Sequence, residues 1–113
     1  MLARECLEEF RVECDLRRLS FRTIKGYYNN NALFLNFLEQ TENLTALERI
    51  KHLHIRKYMQ FKLDNGLTAS YLNGVLKSIR AFFKYAYEEG YISENPAKRV
   101  RWQREGKVII ETF

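Results

Sequence analysis

Apolar residues recur along this chain at alternating spacings of three and four, the period of a helix with one buried face. Ala3, Leu7, Phe10 and Cys14 predict a first helix over about residues 2–17, with Glu and Arg mixed on its exposed side. Ile24, Tyr27, Asn31, Phe34 and Leu38 predict a second over about 21–40. Ser20 is its N-cap, and Leu19 before the cap can staple onto Ile24. Arg22, Lys25, Gly26, Asn29 and Asn36 fall on the opposite face. The capping box Thr45-x-x-Glu48 predicts a short helix, and Ile55, Tyr58, Met59 and Leu63 predict another over about 54–64. No good cap stands near Lys51-His52, so the join between these two pieces is undefined. Gly66 after Asn65 supplies a left-handed stop. Leu72, Leu76, Ile79, Phe83 and Ala86 then predict a long helix over about 69–89, capped by Thr68 and stapled by Leu67 onto Leu72. Its far side carries Ser70, Asn73, Lys77, Ala81 and Lys84. Gly90 ends it, Asn95-Pro96 predicts a short last helix, and "VIIETF" at 108–113 has strand propensity without a partner strand.

Composition narrows the class. With 113 residues, 46% hydrophobic and 14% aromatic, the chain is one globular domain able to bury a core. Five Gly and one Pro agree with helices joined by few turns. No apolar run approaches the roughly 18 residues of a membrane helix, and no signal sequence opens the chain, so a cytoplasmic protein with no membrane partner is expected. Cys6 and Cys14, eight residues apart on one helix, lie about 12 Å apart along its axis, too far for a disulfide. Both are expected to be reduced and buried.

Charge changes the picture more. The net charge of +5 is concentrated in the second half: residues 1–50 hold 7 Lys/Arg against 8 Asp/Glu, and residues 51–113 hold 12 against 6. The windows 16–38, 49–63 and 65–87 contain bases and no acid, and Lys98, Arg99, Arg101 and Arg104 cluster near the end. Such asymmetry suggests a polyanionic partner, although a merely solvated basic face has the same composition. Two of the acid-free windows open a helix with small hydroxyl residues. A helix start presents unpaired N–H groups and partial positive charge, which suits phosphate. Arg22, Thr23 and Lys25 on one helix, with Thr68, Ser70, Asn73 and Lys77 on the other, form two such candidate receptors. Asn and Lys are also side chains that reach base edges in a major groove. Gly26 and Gly74 lie off the apolar stripes; close approach of a DNA backbone, contact with another helix and drift explain them equally well.

The order Ser20-x-x-Thr23-Ile24-x-x-Tyr27, then Phe34-x-x-Phe37-Leu38, is similar to the second helix of the N-terminal, core-binding domain of tyrosine recombinases, the phage integrases. Gly66-Leu67-Thr68-x-Ser70, followed by Leu76-x-x-Ile79-Arg80-x-Phe82-Phe83-x-Tyr85-Ala86, resembles the same domain, and so does the ending Glu89-Gly90-Tyr91-Ile92-x-x-Asn95-Pro96-Ala97. The likeness covers about residues 5–100. It implies an all-α, small orthogonal bundle of four to five helices, SAM-like, that forms half of a clamp on double-stranded DNA. It places the helices at 21–40 and 69–89 against the major groove. Arg22, Thr23, Lys25, Thr68, Ser70, Asn73, Lys77 and Arg80 map to contact positions. Residues 1–100 would then be the core-binding domain, and 101–113 a basic linker with the first strand of a catalytic domain that lies beyond. The family's catalytic Tyr and Arg/Lys/His/Arg set belong to that further domain. No residue here maps onto them: His52 is followed three places on by Ile55, and His54 by Lys57. Around Lys51-His52, where members often carry a Thr or Asp cap, the sequence departs from the pattern.

Other chemistry is poorly supported. His52 and His54 point to different sides of a helix with no further ligand, so no metal is expected, and no motif calls for a cofactor. Trp102 either packs back on the bundle or lies along DNA; linker packing is the expectation, with its Arg neighbours meeting phosphate. The reading is therefore a double-stranded DNA-binding module of a site-specific recombinase for DNA integration and recombination, carried by a phage or mobile element. It is not an enzyme alone; it is monomeric as this piece and tetrameric on DNA when joined to its C-terminal catalytic domain. The main alternative is a helical protein-interaction module whose basic face meets an acidic partner. A helix-turn-helix regulator is a further rival, but its recognition helix would be unusually long at about 22 residues.

Overall fold

The computed structural model describes residues 1–105. Four helices account for most of them: α1 (Ala3–Leu16), α2 (Phe21–Glu42), α3 (His52–Asp64) and α4 (Ala69–Glu88), with a single 3₁₀ turn at Leu47–Arg49. The apolar stripes decide the packing. Leu72, Val75, Leu76, Ile79, Phe82, Phe83 and Ala86 of α4 are all buried, and α4 packs against each of the other three helices. Phe10 of α1 lies against Tyr27, Phe82 and Tyr85, and Phe34 of α2 lies against Tyr58 and Phe83. Four elements thus meet in one aromatic core around α4. The all-α, SAM-like expectation holds.

A polar contact fixes how α2 sits on α4. Asn31, within the apolar stripe and fully buried, donates through Nδ2 to the carbonyls of Tyr27 (2.8 Å) and Ser78 (2.9 Å). Asn30 Nδ2 donates to Ser78 Oγ at 3.0 Å, so both neighbours grip one point of α4. Side chains off the helix crossing face water: Arg22, Lys25, Asn29, Leu33 and Asn36 on α2, and Ser70, Tyr71, Gly74, Lys77 and Lys84 on α4, are exposed.

The helix ends follow their local chemistry. Gly66 (φ 86°) lets Leu67 N–H donate back to the Lys62 carbonyl at 3.1 Å, closing α3 as its sequence predicts. α1 and α2 stop without glycine, at Arg18 (φ 62°) and Asn43 (φ 52°). Leu19 and Ile24 flank the Ser20 cap and both pack against the core.

Two short elements differ from expectation. The Thr45-x-x-Glu48 capping box does not form: the 3₁₀ turn begins after Ala46, the Thr45 carbonyl accepts from Ala3 N–H (2.9 Å), and Leu2 and Ala46 pair in an isolated antiparallel bridge. Glu48 instead meets the Met1 ammonium at 3.1 Å. After Asn95-Pro96 the chain makes hydrogen-bonded turns rather than a helix. Asn95 Oδ1 accepts from Ala97 N–H (2.9 Å), and Lys98 and Val100 N–H reach back three residues. In both places long-range partners take the groups that a helix would have used. The strand expected at 108–113 lies outside the described residues.

The join at Lys51-His52 has an unexpected cap. α3 begins at His52, two residues earlier than the apolar stripe indicates, and Lys51 N–H donates to His54 Nδ1 at 2.8 Å. The imidazole does here what a Glu or Gln does in a capping box.

Candidate nucleic-acid interface

The two helix starts are built alike. At α2, Ser20 Oγ accepts from Thr23 N–H (3.1 Å) and donates to Thr23 Oγ1 (3.0 Å). At α4, Thr68 Oγ1 accepts from Tyr71 N–H (3.1 Å). Each cap satisfies one of the first-turn donors, leaving earlier N–H groups directed at solvent. The crossing at Asn31 and Ser78 sets the distance between these starts. Residues 22–25 lie roughly 9–14 Å before it along α2, and residues 68–70 roughly 12–15 Å before it along α4. They are two separate helix starts on arms leading away from one crossing.

The eight residues expected to meet DNA divide into two groups. Arg22, Lys25, Thr68, Ser70 and Lys77 are exposed, and Thr23 is half-buried under its bond to Ser20. Among the described residues neither Arg22, Lys25 nor Lys77 makes an ion pair. Four other bases are matched by acids: Arg4 with Glu39 (2.7 Å), Arg11 with Glu8, Lys57 with Glu42, and Lys84 of α4 with Glu88. Among the described residues, Arg22, Lys25 and Lys77 thus leave unpaired positive charge on the outer faces of α2 and α4, as Lys98, Arg99, Arg101 and Arg104 do along the tail. Gly26 and Gly74 lie on those faces, and a Cβ placed on either meets nothing within 4 Å. Contact with another helix among the described residues is thus removed as their explanation.

Asn73 and Arg80 make up the second group, and both are turned to the chain's own tail. Arg80 Nη1 donates to the carbonyls of Ala97 (3.1 Å) and Val100 (3.3 Å), and its guanidinium lies 5.2 Å from the centre of the Trp102 ring. Arg56 of α3 donates to the Arg99 carbonyl at 3.0 Å. Asn73 Oδ1 accepts from Gln103 N–H (2.7 Å), and Nδ2 donates to the Gln103 carbonyl and the Glu105 carboxylate, both at 3.0 Å. The tail therefore runs back along α4 with Val100 buried and Lys98, Arg99, Arg101 and Arg104 exposed. Sequence reasoning placed Trp102 in packing contact but did not foresee what it packs on. The only signal was an aromatic inside a basic run.

Residues 8–90 match the phage integrase N-terminal SAM-like domain. The chain belongs to that family. Among curated tyrosine recombinases, it is 25% identical over 91 residues to XerD of Listeria monocytogenes serotype 4b, covering 80% of this chain and 31% of that protein. It is 30% identical over 81 residues to XerC of Thermodesulfovibrio yellowstonii (72% and 25%) and 33% identical over 88 residues to a tyrosine recombinase of Pseudothermotoga lettingae (76% and 30%). The chain thus spans between a quarter and a third of the length of these integrase-family relatives. No solved structure matches it significantly. The family match takes in α2, α3 and α4 whole and ends at Gly90, so the tail held by Arg80 and Asn73 lies beyond it.

The remaining reactive groups are quiet. Cys6 and Cys14 are buried, and burial pushes the Cys6 thiol up to about 12. Burial likewise pushes the Tyr58 hydroxyl up to about 12, and the bond to Glu9 does the same for Tyr91. Among the described residues no group of three His, Cys, Asp or Glu is placed to hold a metal.

Proposed function

We propose that this domain binds double-stranded DNA and positions it for a catalytic domain joined to its C-terminal end. The observation that carries the reading is the unpaired charge on α2 and α4: Arg22, Lys25 and Lys77 are exposed, make no ion pair among the described residues, and lie in stretches of sequence without an acid. Capped helix starts at Ser20 and Thr68 add N–H donors for phosphate beside them. Membership of the phage integrase family supports the same reading. Phosphate contacts from Arg22, Thr23, Lys25, Thr68, Ser70 and Lys77 supply affinity and register. Asn73, freed from the tail, adds base contacts, and Arg80, while its Nη1 stays on Ala97 and Val100, offers its remaining N–H groups to the backbone. The intact protein on this reading is a cytoplasmic tyrosine recombinase of a phage or mobile element, tetrameric on DNA. The present chain neither cuts nor joins strands, because no residue in it maps onto the family's catalytic set.

An NMR titration of the ¹⁵N-labelled protein with a short duplex at low salt tests this, with a Kd on the order of 10⁻⁴–10⁻⁶ M expected for non-specific duplex. Shifts gathered at residues 20–26 and 68–80 that fade as salt is added are the expected result. Shifts elsewhere would reassign the face. Silence at millimolar duplex, with a response to an acidic peptide, would make the domain a protein-interaction module instead.

A further inference from the structure

The tail is held in two stretches of unequal strength. Its first part is locked: Ala97 and Val100 are buried, and Arg56 and Arg80 take the carbonyls of Ala97, Arg99 and Val100. Its second part, residues 101–105, has no regular secondary structure, and Trp102 within it is 51% exposed. This stretch rests on Asn73 and on the face of Trp102 against Arg80. Segments with few buried apolar contacts and exposed backbone are those that open first.

What the second stretch does to Asn73 is specific. An Asn amide that reads adenine accepts at Oδ1 from N6–H and donates from Nδ2 to N7. Gln103 offers the same pair in the same sense, its N–H to Oδ1 and its carbonyl to Nδ2. Glu105 then places a carboxylate on the remaining Nδ2 proton, on the face that carries exposed Lys77 one turn further on. A peptide group thus stands where a base edge would, and an anionic oxygen where a phosphate would.

From this we infer that residues 101–105 form a strap that occupies the Asn73 part of the α4 surface in the free protein and is exchanged for duplex on binding. The inference rests on the DNA-binding reading. Val100 remains anchored while the strap peels, so the exchange requires no unfolding of the bundle. It also means that part of the DNA affinity is spent on opening the strap, which lowers the apparent affinity by the fraction of molecules open.

Gln103→Pro tests the exchange without altering charge: it deletes the N–H that Asn73 Oδ1 accepts and leaves α4 untouched. Trp102, the chain's only tryptophan, reports the strap by its emission. Duplex affinity is followed separately by anisotropy of a labelled duplex at low salt. The expected results are a several-fold tighter Kd for Gln103→Pro and a Trp102 spectrum in the free variant that the wild type reaches only when saturated with duplex. Asn73→Ala should gain less than Gln103→Pro, because it removes the DNA contact along with the tether. Glu105→Gln should gain more than Asp15→Asn, which removes the same charge from α1. Wild type that binds duplex while Gln103→Pro binds equally or more weakly would overturn the strap and leave the DNA reading standing. If neither protein binds duplex, the DNA reading itself fails and takes the exchange with it.

Discussion

Asn31 is the residue on which the crossing of α2 and α4 turns. Its place in an apolar stripe is visible in the sequence, but its partner is not, because Ser78 is 47 residues away. Its two amide bonds go to helix carbonyls that already accept an intrahelical N–H, and among the described residues its Oδ1 has no partner. Removing it costs more through lost bonds and empty space than through stranded partners. Asn31→Ala should therefore destabilise the domain by about 1–3 kcal/mol. Asn31→Leu, which fills the volume and buries no unpaired amide, should cost less, and urea unfolding of the two variants measures the difference. An Asn31→Leu protein weaker than Asn31→Ala would mean that the crossing has no room for a branched apolar side chain, so that filling space does not offset the lost bonds.

At the scale of elements, α3 shows how a helix can begin without a conventional cap. His54 accepts the Lys51 N–H only as the neutral imidazole. Its pKa lies below the ordinary 6.5 because burial disfavours the charged form, which outweighs the pull of Glu42 and is helped by weaker repulsion from Lys57 and Lys51. His52 is shifted in the same direction by burial and by Arg99 and Arg56. The unfolded chain therefore takes up protons at a higher pH than the folded one. Stability is full above about pH 6.5 and falls as the pH drops from there towards the folded-state pKa values. Thermal melts should show a lower Tm at pH 5.5 than at pH 7.5. His54→Gln keeps a side-chain acceptor at the same position but does not titrate, so its Tm should fall less over that interval. An unchanged slope would show that His54 is not the group responsible. The Lys51-x-x-His54 spacing is legible in hindsight as a cap three residues apart, but His is an uncommon choice there and nothing else in the sequence points to it.

For the whole molecule the decisive quantity is where charge is left unpaired. Duplex binding should weaken linearly in log Kd against log salt. Lys77→Ala and Arg22→Ala should each weaken binding across sequences and reduce that slope by about 1 if each meets one phosphate. Lys57→Ala, whose ammonium already lies 3.4 Å from Glu42, should leave the slope nearly unchanged. Equal slopes for all three variants would place the contact surface away from α2 and α4. The same balance explains why composition could point to a polyanion without locating it. Nineteen bases are visible in the sequence, but only folding brings Glu39 to Arg4 and Glu42 to Lys57 and withdraws those bases from the surface field.

The sequence by itself determined the four helices, their buried stripes and the two capped starts at Ser20 and Thr68. Each of these depends on neighbours within four or five residues, and helical periodicity and capping are written at that range. Tertiary structure decided what lies between and after them. The 3₁₀ turn at Leu47–Arg49 replaced a capping box because Ala3 took the Thr45 carbonyl. The tail after Pro96 became a run of turns lying back on α4 because Arg80 and Asn73, from 17 to 32 residues earlier, hold its backbone and Glu105. Donors and acceptors satisfied over such separations leave no periodic trace in the chain, so only the packed bundle reveals which side chains remain free to meet a partner.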